Sequence, residues 1–338
     1  MFKETDLKDL NTYIDLIKDL PFANLFTEFR DFITSNPNFE AFPAIVLSHD
    51  FNPKRSRFLT NLGDYTNYIV VTAQSEKDLY DGFKCHFYDD TNIPGLANKR
   101  KYIVSWLQEH NVNNAFFLDD DCTDFVLPYR DGKSVNAPFK ISYDFLFKFW
   151  TFLVNKYNYK FSGLMNWTAF RFCDLTKGFT KHNGQCIQVV QMNISDAKER
   201  SINYDENSGW EDFDMIIQEI VNGEGTEVLP IGYHTPAITQ GISTFSNLPE
   251  RCITHSSALL AKWGLSLVRL DLKKGIFNTK VNWFKIRKCI KENQHFESLI
   301  HPINIDENSQ NEIRNIMNSD LEPKEKKLKI EKLLEINI

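Results

Sequence analysis

The chain has 338 residues, 42% of them hydrophobic and 25% charged, which is enough apolar material for one or two cores and too much for a disordered chain. Its 39 Lys and Arg against 45 Asp and Glu give a formal net charge of -6, which excludes a wholly basic nucleic-acid binder but leaves room for a local basic surface. The six cysteines (Cys85, Cys122, Cys173, Cys186, Cys252, Cys289) form no C-x-x-C pair, so neither a zinc ribbon nor a disulfide framework is indicated and reduced thiols are expected.

Along the chain, Leu7, Leu10, Tyr13, Ile14 and Ile17, then Leu25, Phe26, Phe29 and Phe32 after Pro21, recur at helical spacing and predict a helical lead-in over residues 1–40. The opening MFKETDLKDL lacks a basic n-region and an apolar h-region, and no apolar run approaches the roughly 18 residues of a membrane span, so a soluble cytoplasmic protein with no membrane partner is expected. From Ala44 the pattern changes to short continuous apolar runs. Ala44–Leu47, Tyr68–Val71, Cys85–Tyr88 and Ala115–Phe116–Phe117–Leu118 read as strands, with helices predicted around Arg55 and Arg57, over 75–80 and over 98–110. This alternation predicts a parallel α/β sheet flanked by helices, whose ligands bind beyond the carboxyl ends of the strands. Farther on, 143–157 and 211–221 read as helices, 162–167, 187–192 and 228–233 as strands, and 323–335 as a charged helix. The boundaries expected are a lead-in over 1–40, a main domain over 41–265 and a basic, helical C-terminal extension over 266–338.

The sharpest chemical signal is Asp119-Asp120-Asp121, three carboxylates directly after a buried strand, where unpaired negative charge is costly. Alternation along an extended chain sends Asp119 and Asp121 to one side, an arrangement suited to a hard divalent cation, Mg²⁺ or Mn²⁺, that also holds phosphates. A solvated acidic turn is the competing reading. A second signal is Trp210-Glu211-Asp212 at the start of a predicted helix, where Glu211 or Asp212 is a candidate general base and Trp210 a candidate stacking wall; helix capping is the plainer alternative. Lys54, Arg55 and Arg57, and Lys99, Arg100 and Lys101, are candidate diphosphate partners or solvated helix faces. His255, placed before a helix, and His234, after a strand, are candidate metal ligands. The segment from 272 to 291 holds seven basic residues and no acid (Lys273, Lys274, Lys280, Lys285, Arg287, Lys288, Lys291), interleaved with Phe277, Trp283 and Phe284, a pattern suited to phosphates and stacked bases. No G-x-G-x-x-G, P-loop, G-x-S-x-G or H-E-x-x-H motif occurs, which removes support for dehydrogenase, P-loop ATPase, serine hydrolase and zincin readings.

Taken in order, Ala44–Leu47 with Ser48 and Arg57, Tyr68–Val71, Gly95-Leu96-Ala97-Asn98-Lys99-Arg100, Asp119-Asp120-Asp121 and Trp210-Glu211-Asp212 resemble the nucleotide-sugar glycosyltransferases of the GT-A fold over roughly residues 40–265. More narrowly they resemble the TET/JBP-associated glycosyltransferases of bacteriophages, which glycosylate 5-hydroxymethylated pyrimidines in DNA. The resemblance implies a Rossmann-like GT-A domain with a mostly parallel sheet and metal-dependent sugar transfer from a UDP-sugar to such a base, within an infected bacterial cytoplasm if phage-encoded. It places Ser48, Arg55, Arg57, Arg100, Asp119, Asp120 and Trp210 at the donor. Asp119, Asp121 and His255 would lie at Mn²⁺ or Mg²⁺, and Glu211 or Asp212 at the acceptor hydroxyl. The loop Ser48-His49-Asp50-Phe51-Asn52-Pro53 is longer than the family's plain Ser-x-x-Arg turn. Rival readings are a transferase acting on a polysaccharide, lipid or protein, a nucleotidyltransferase releasing pyrophosphate, and a non-catalytic nucleic-acid-binding module.

Overall fold

A computed structural model describes residues 2–93, 95–130, 135–204, 210–222, 224–235, 248–272 and 276–336. The chain divides into two compact units. The first comprises Met1–Pro94, Ile103–Ser201 and Glu224–Ile242, and the second Gly95–Tyr102, Ile202–Gly223 and Ser243–Ile338.

The first unit opens with helices α1 (Glu4–Ile17) and α2 (Ala23–Ser35). Strand β1 (Ala44–Leu47), the single-turn α3 (Arg57–Thr60), β2 (Tyr68–Ala73), β3 (Cys85–Tyr88), α4 (Leu96–Glu109) and β4 (Asn114–Asp119) follow. The unit boundary crosses α4, whose residues up to Tyr102 belong to the second unit. Next come β5 (Thr123–Tyr129), β6 (Ala137–Lys140), α5 (Tyr143–Tyr157), β7 (Phe161–Asn166), α6 (Trp167–Arg171), β8 (Lys181–His182), β9 (Val189–Asn193), α7 (Ile194–Glu199) and, after a passage through the second unit, β10 (Glu227–His234).

These ten strands form one sheet in the order β3-β2-β1-β4-β9-β7-β10-β5-β6, with β8 paired to β10. Strands β1–β4, β6, β7 and β10 point one way, and β5, β8 and β9 point the other. The sheet is thus mostly parallel and flanked by helices, as expected, and consistent with a Rossmann-like arrangement, with β5, β8 and β9 reversed. The reversed strands β5 and β9 have mostly buried apolar patterns like their neighbours, so direction is not encoded in them, whereas the two-residue β8 is exposed Lys181–His182. Strand β5 turns back directly after the acidic triplet and pairs with β10, not with β4.

The aromatic richness goes into this core. Phe26 stacks on Phe149 at 4.5 Å, and Phe29 meets Phe149 at 5.1 Å, which seats α2 against α5, while Tyr13 of α1 meets Phe26 at 4.8 Å. At 28 Phe, shape complementarity of rings contributes beyond buried area, about 0.5–1.5 kcal/mol per well-oriented pair. A buried polar chain crosses the sheet beneath it. Trp150 Nε1 donates to Ser162 Oγ (2.8 Å), Ser162 Oγ donates to Gln191 Oε1 (2.8 Å), and Gln191 Nε2 donates to Asn114 Oδ1 (3.0 Å). Each polar group is satisfied, so its burial costs little.

The second unit contains α8 (Glu211–Val221), α9 (Leu248–Leu267), the hairpin β11 (Val268–Asp271) and β12 (Asn278–Val281), α10 (Trp283–Lys291), α11 (Glu307–Asn318) and α12 (Pro323–Ile336). Near its end α9 is interrupted at Gly264, whose φ is +72° and where any Cβ would overlap the carbonyl oxygen of His301. Only glycine meets both demands there. Among the described residues, no helix is long and apolar enough to cross a membrane.

Candidate functional site

The acidic triplet lies at the carboxyl end of β4. Register explains its neighbours: β1 pairs with β4 so that Leu47 faces Asp119, and the next residue of each strand, Ser48 and Asp120, come together. Asp120 N donates to Leu47 O (3.2 Å), and Asp120 O accepts from Phe58 N (2.9 Å). The carboxylate is buried and accepts from Ser48 Oγ (2.5 Å) and Ser56 Oγ (2.6 Å), while Tyr80 Oη donates to Ser48 Oγ (2.8 Å). Two hydroxyls and one backbone contact therefore bolt the acidic turn to the loop 48–58, and a second backbone contact ties it to the end of β1. Burial still outweighs the hydroxyl donors and raises the Asp120 carboxyl above the ordinary aspartate range.

The strand ends at Asp119, and residues 120 and 121 form a turn. Strand alternation therefore does not govern Asp121, and the same-side placement expected for Asp119 and Asp121 loses its basis. What singles out Asp121 is its environment. Burial, then the adjacent Asp120, push its carboxyl up to about 6. Excess negative charge in a poorly solvated turn is the condition a divalent cation relieves, and oxygen-only donors suit Mg²⁺ or Mn²⁺. Among the described residues no group of three or more His, Cys, Asp or Glu side chains is gathered for a metal. A cation here would rest on one or two carboxylates, with waters and ligand oxygens completing its shell, a usual mode for Mg²⁺.

The basic residues of the loop have separate fates. Arg55 folds back, its Nη2 donating to the carbonyls of His49 and Asp50 (2.6 Å to the latter), and its charge lowers the carboxyl pKa values of both Asp120 and Asp121. It lies in a turn, not in the predicted helix. Arg57 opens α3 and lines a cavity of about 680 Å³ with Asn61, Tyr65, Thr123, Asp124 and Tyr143, a lining that includes none of Asp119, Asp120 and Asp121. His49 pairs with Glu76, which also accepts from Asp50 N (3.0 Å) and Thr72 Oγ1 (2.9 Å). His234 ends β10 with its ring 4.1 Å from that of Trp167. His182 pairs with Glu227 at 2.5 Å.

The second unit holds Arg100, Trp210, Glu211, Asp212 and His255. Arg100 is buried, forms an ion pair with Asp212, lies 3.6 Å from Glu211 and stands over the Tyr204 ring at 5.5 Å. It serves as counter-ion to the two acids. Burial pushes the Glu211 carboxyl up to about 7, against the lowering effect of Arg100, and Asp212 raises it further. Trp210 Nε1 donates to Ser256 Oγ (3.1 Å), so the indole is anchored by its polar edge. His255 lies inside α9, not before a helix. Its Nε2 accepts from Arg251 Nε (2.9 Å), and burial, then Arg251, lower its pKa. Deeper in the unit, fully buried Asp214 accepts from Trp263 Nε1 (2.6 Å), Gln218 Nε2 (2.8 Å) and Lys262 Nζ (3.0 Å).

The expected residues thus fall into two sets, Ser48, Arg55, Asp119, Asp120 and Asp121 in one unit and Arg100, Trp210, Glu211, Asp212 and His255 in the other, with Arg57 on a separate cavity. Ser56, Tyr80, Tyr204 and Asp214 were not singled out. Ser56 stands between two arginines and Asp214 two residues after Asp212, but no periodicity marks either as a partner. No family model matches the chain, and no curated protein matches it.

Proposed function

We propose that the protein is a metal-dependent glycosyltransferase that moves a sugar from a UDP-sugar to a hydroxyl acceptor, a 5-hydroxymethylated pyrimidine of DNA. The observation that carries the reading is the acidic turn after β4, held by Ser48 and Ser56 through Asp120 while Asp121 is raised to about 6. A carboxylate so disfavoured as an anion is suited to a cation and a ligand that arrives with it. Its position, beyond the carboxyl end of a parallel strand, is where α/β sheets bind nucleotides.

Asp121, with Asp119, would hold Mn²⁺ or Mg²⁺; such a cation neutralises the charge that grows on a departing diphosphate. Arg55 adds fixed positive potential beside the turn. In the reaction, the bond from the sugar's anomeric carbon to the β-phosphate oxygen breaks, a bond from that carbon to the acceptor oxygen forms, UDP departs, and the acceptor proton passes to a base. The two residues named for that proton both belong to the second unit, and of the two Glu211 carries the raised carboxyl. Its affinity for a proton is matched to neutrality, whereas Asp212 is neutralised by Arg100.

The test is to incubate hydroxymethylated DNA with a panel of UDP-sugars and Mn²⁺, and to weigh the released nucleosides by mass spectrometry. A sugar adduct with release of UDP supports the reading, and pyrophosphate release marks a nucleotidyltransferase. UDP-sugar hydrolysis without DNA modification moves the acceptor to a polysaccharide, lipid or protein. No reaction with any donor leaves the non-catalytic module.

A further inference from the structure

The basic, aromatic segment read along the sequence is sorted by the second unit into different places. Lys280 lies in β12 and pairs with Asp271 at 2.6 Å. Phe277 is buried, and Lys273 and Lys274 lie outside the described residues. What remains is α10, nine residues long, which turns Ile286 and Cys289 into the core and packs on α9. Its outer face carries Phe284, Arg287, Lys288 and Lys291, at positions i, i+3, i+4 and i+7, with Lys285 beside them.

Phe284 is 76% exposed, the most exposed large hydrophobic among the described residues. The ring is not part of the buried core and, among exposed cations, is open to a stacking partner. The face spans about 10 Å along the helix axis and presents four basic residues without an acid inside the helix. Lys288 has Glu292 at 3.8 Å, an exposed pair that a phosphate would readily displace. In a chain of net charge -6, such a local excess is a specific feature and not a reflection of bulk composition.

We infer that the outer face of α10 binds a single strand of nucleic acid, with the phosphates along Lys285, Arg287, Lys288 and Lys291 and an unpaired base stacked on Phe284. Fixed cations supply affinity by releasing counter-ions, and the ring supplies a stacking surface that accepts any base. The choice of partner rests in part on the DNA acceptor proposed above, but the face itself is read from charge and exposure alone.

The experiment is fluorescence anisotropy of the full chain with a labelled single-stranded oligonucleotide over a range of salt, with a duplex of the same sequence alongside. Wild-type binding is expected to weaken with salt and to favour the single strand. Phe284→Ala should reduce affinity roughly fivefold to a hundredfold with the salt slope unchanged, the range seen when one stacked base is lost. Arg287→Ala with Lys288→Ala should flatten the slope by about 1.4, two contacts at roughly 0.7 each for a single strand. All three side chains are outside the core, so melting temperatures should match wild type. Salt-independent binding, or variants that bind like wild type, overturns the inference, as does a Phe284→Ala effect on self-association in place of strand binding. Sugar transfer to free 5-hydroxymethylcytidine, measured on the same variants, separates the two failures. Transfer without α10-dependent binding removes only this inference, and binding without transfer removes only the enzymatic reading.

Discussion

The acidic turn of the first unit and the acid cluster of the second solve the same problem in opposite ways. In the second, two acids have their own cation or strong donors: Asp212 has Arg100, and Asp214 has Lys262, Trp263 and Gln218, while buried Glu211 shares Arg100 and is raised to about 7. In the first, Asp120 has two hydroxyls and the charge of Arg55, and Asp121 has the weak thiol donor of Cys122 at 3.8 Å and that same charge. A compensated acid holds a fold together; an uncompensated one stores electrostatic energy that a ligand can release. The contrast predicts that removing the charge of Asp214 or Asp212 destabilises the protein and that removing the charge of Asp121 does not.

The largest effect is expected at Asp214. Asp214→Ala leaves Lys262, Trp263 Nε1 and Gln218 without their acceptor and should cost about 3–4 kcal/mol in chemical denaturation. A loss under 1 kcal/mol would break the contrast at its stronger end. Asp121→Asn should do the reverse, leaving stability at pH 7 unchanged or higher by about 1 kcal/mol, because a disfavoured charge has gone. At the same time UDP-sugar turnover should fall at least about a hundredfold, equivalent to roughly 2.7 kcal/mol of barrier. Wild-type turnover in this variant would show that the turn is only a solvated bend.

Within the second unit, Glu211→Gln and Asp212→Asn should part company. Asp212→Asn removes the main partner of buried Arg100 and should cost about 1–2 kcal/mol, whereas Glu211→Gln should stay within about 1 kcal/mol. Glu211→Gln should also erase an acid limb near pH 7 from the rate profile, a limb that Asp212→Asn should move to lower pH by removing a like charge. The smallest effect concerns the metal. Because the folded-state value of Asp121 lies above its ordinary 3.8, the carboxyl favours the fold when protonated. That contribution is complete below about pH 4 and is lost as pH rises through about 6. A cation that takes only the ionised form should therefore raise the melting temperature by about 2–4 °C at pH 7.5 and not at pH 5. Asp121→Asn should abolish the rise, and an equal rise at both pH values would place the cation elsewhere.

Much of the local structure was legible in the residues. Helices over 143–157 and 211–221 form as their apolar spacing indicates, and the strands around 44–47, 85–88 and 115–118 form where β-prone apolar runs stand between turn residues. Less legible were β5 and β6, which follow the acidic triplet and contain Pro128 and Pro138, residues that argue against a strand unless tertiary pairing overrides them. For α9 the residues indicated only a helix after His255, whereas it starts earlier, at Leu248, and runs to Leu267 with a break at Gly264.

By itself the sequence determined where much of the chain becomes helix or strand, that a buried strand runs into three carboxylates, and that one segment concentrates cations and rings, because those properties depend on residues a few positions apart. Tertiary structure alone decided that Asp120 meets Ser48 and Ser56, that Arg55 and Arg57 serve different surroundings, that Arg100 neutralises Asp212 and that Phe284 faces water while Phe277 does not. Those outcomes depend on strand order, register and burial. A carboxylate's charge state is set by the dielectric and the partners that distant segments bring to it, and neither is written in its neighbours along the chain.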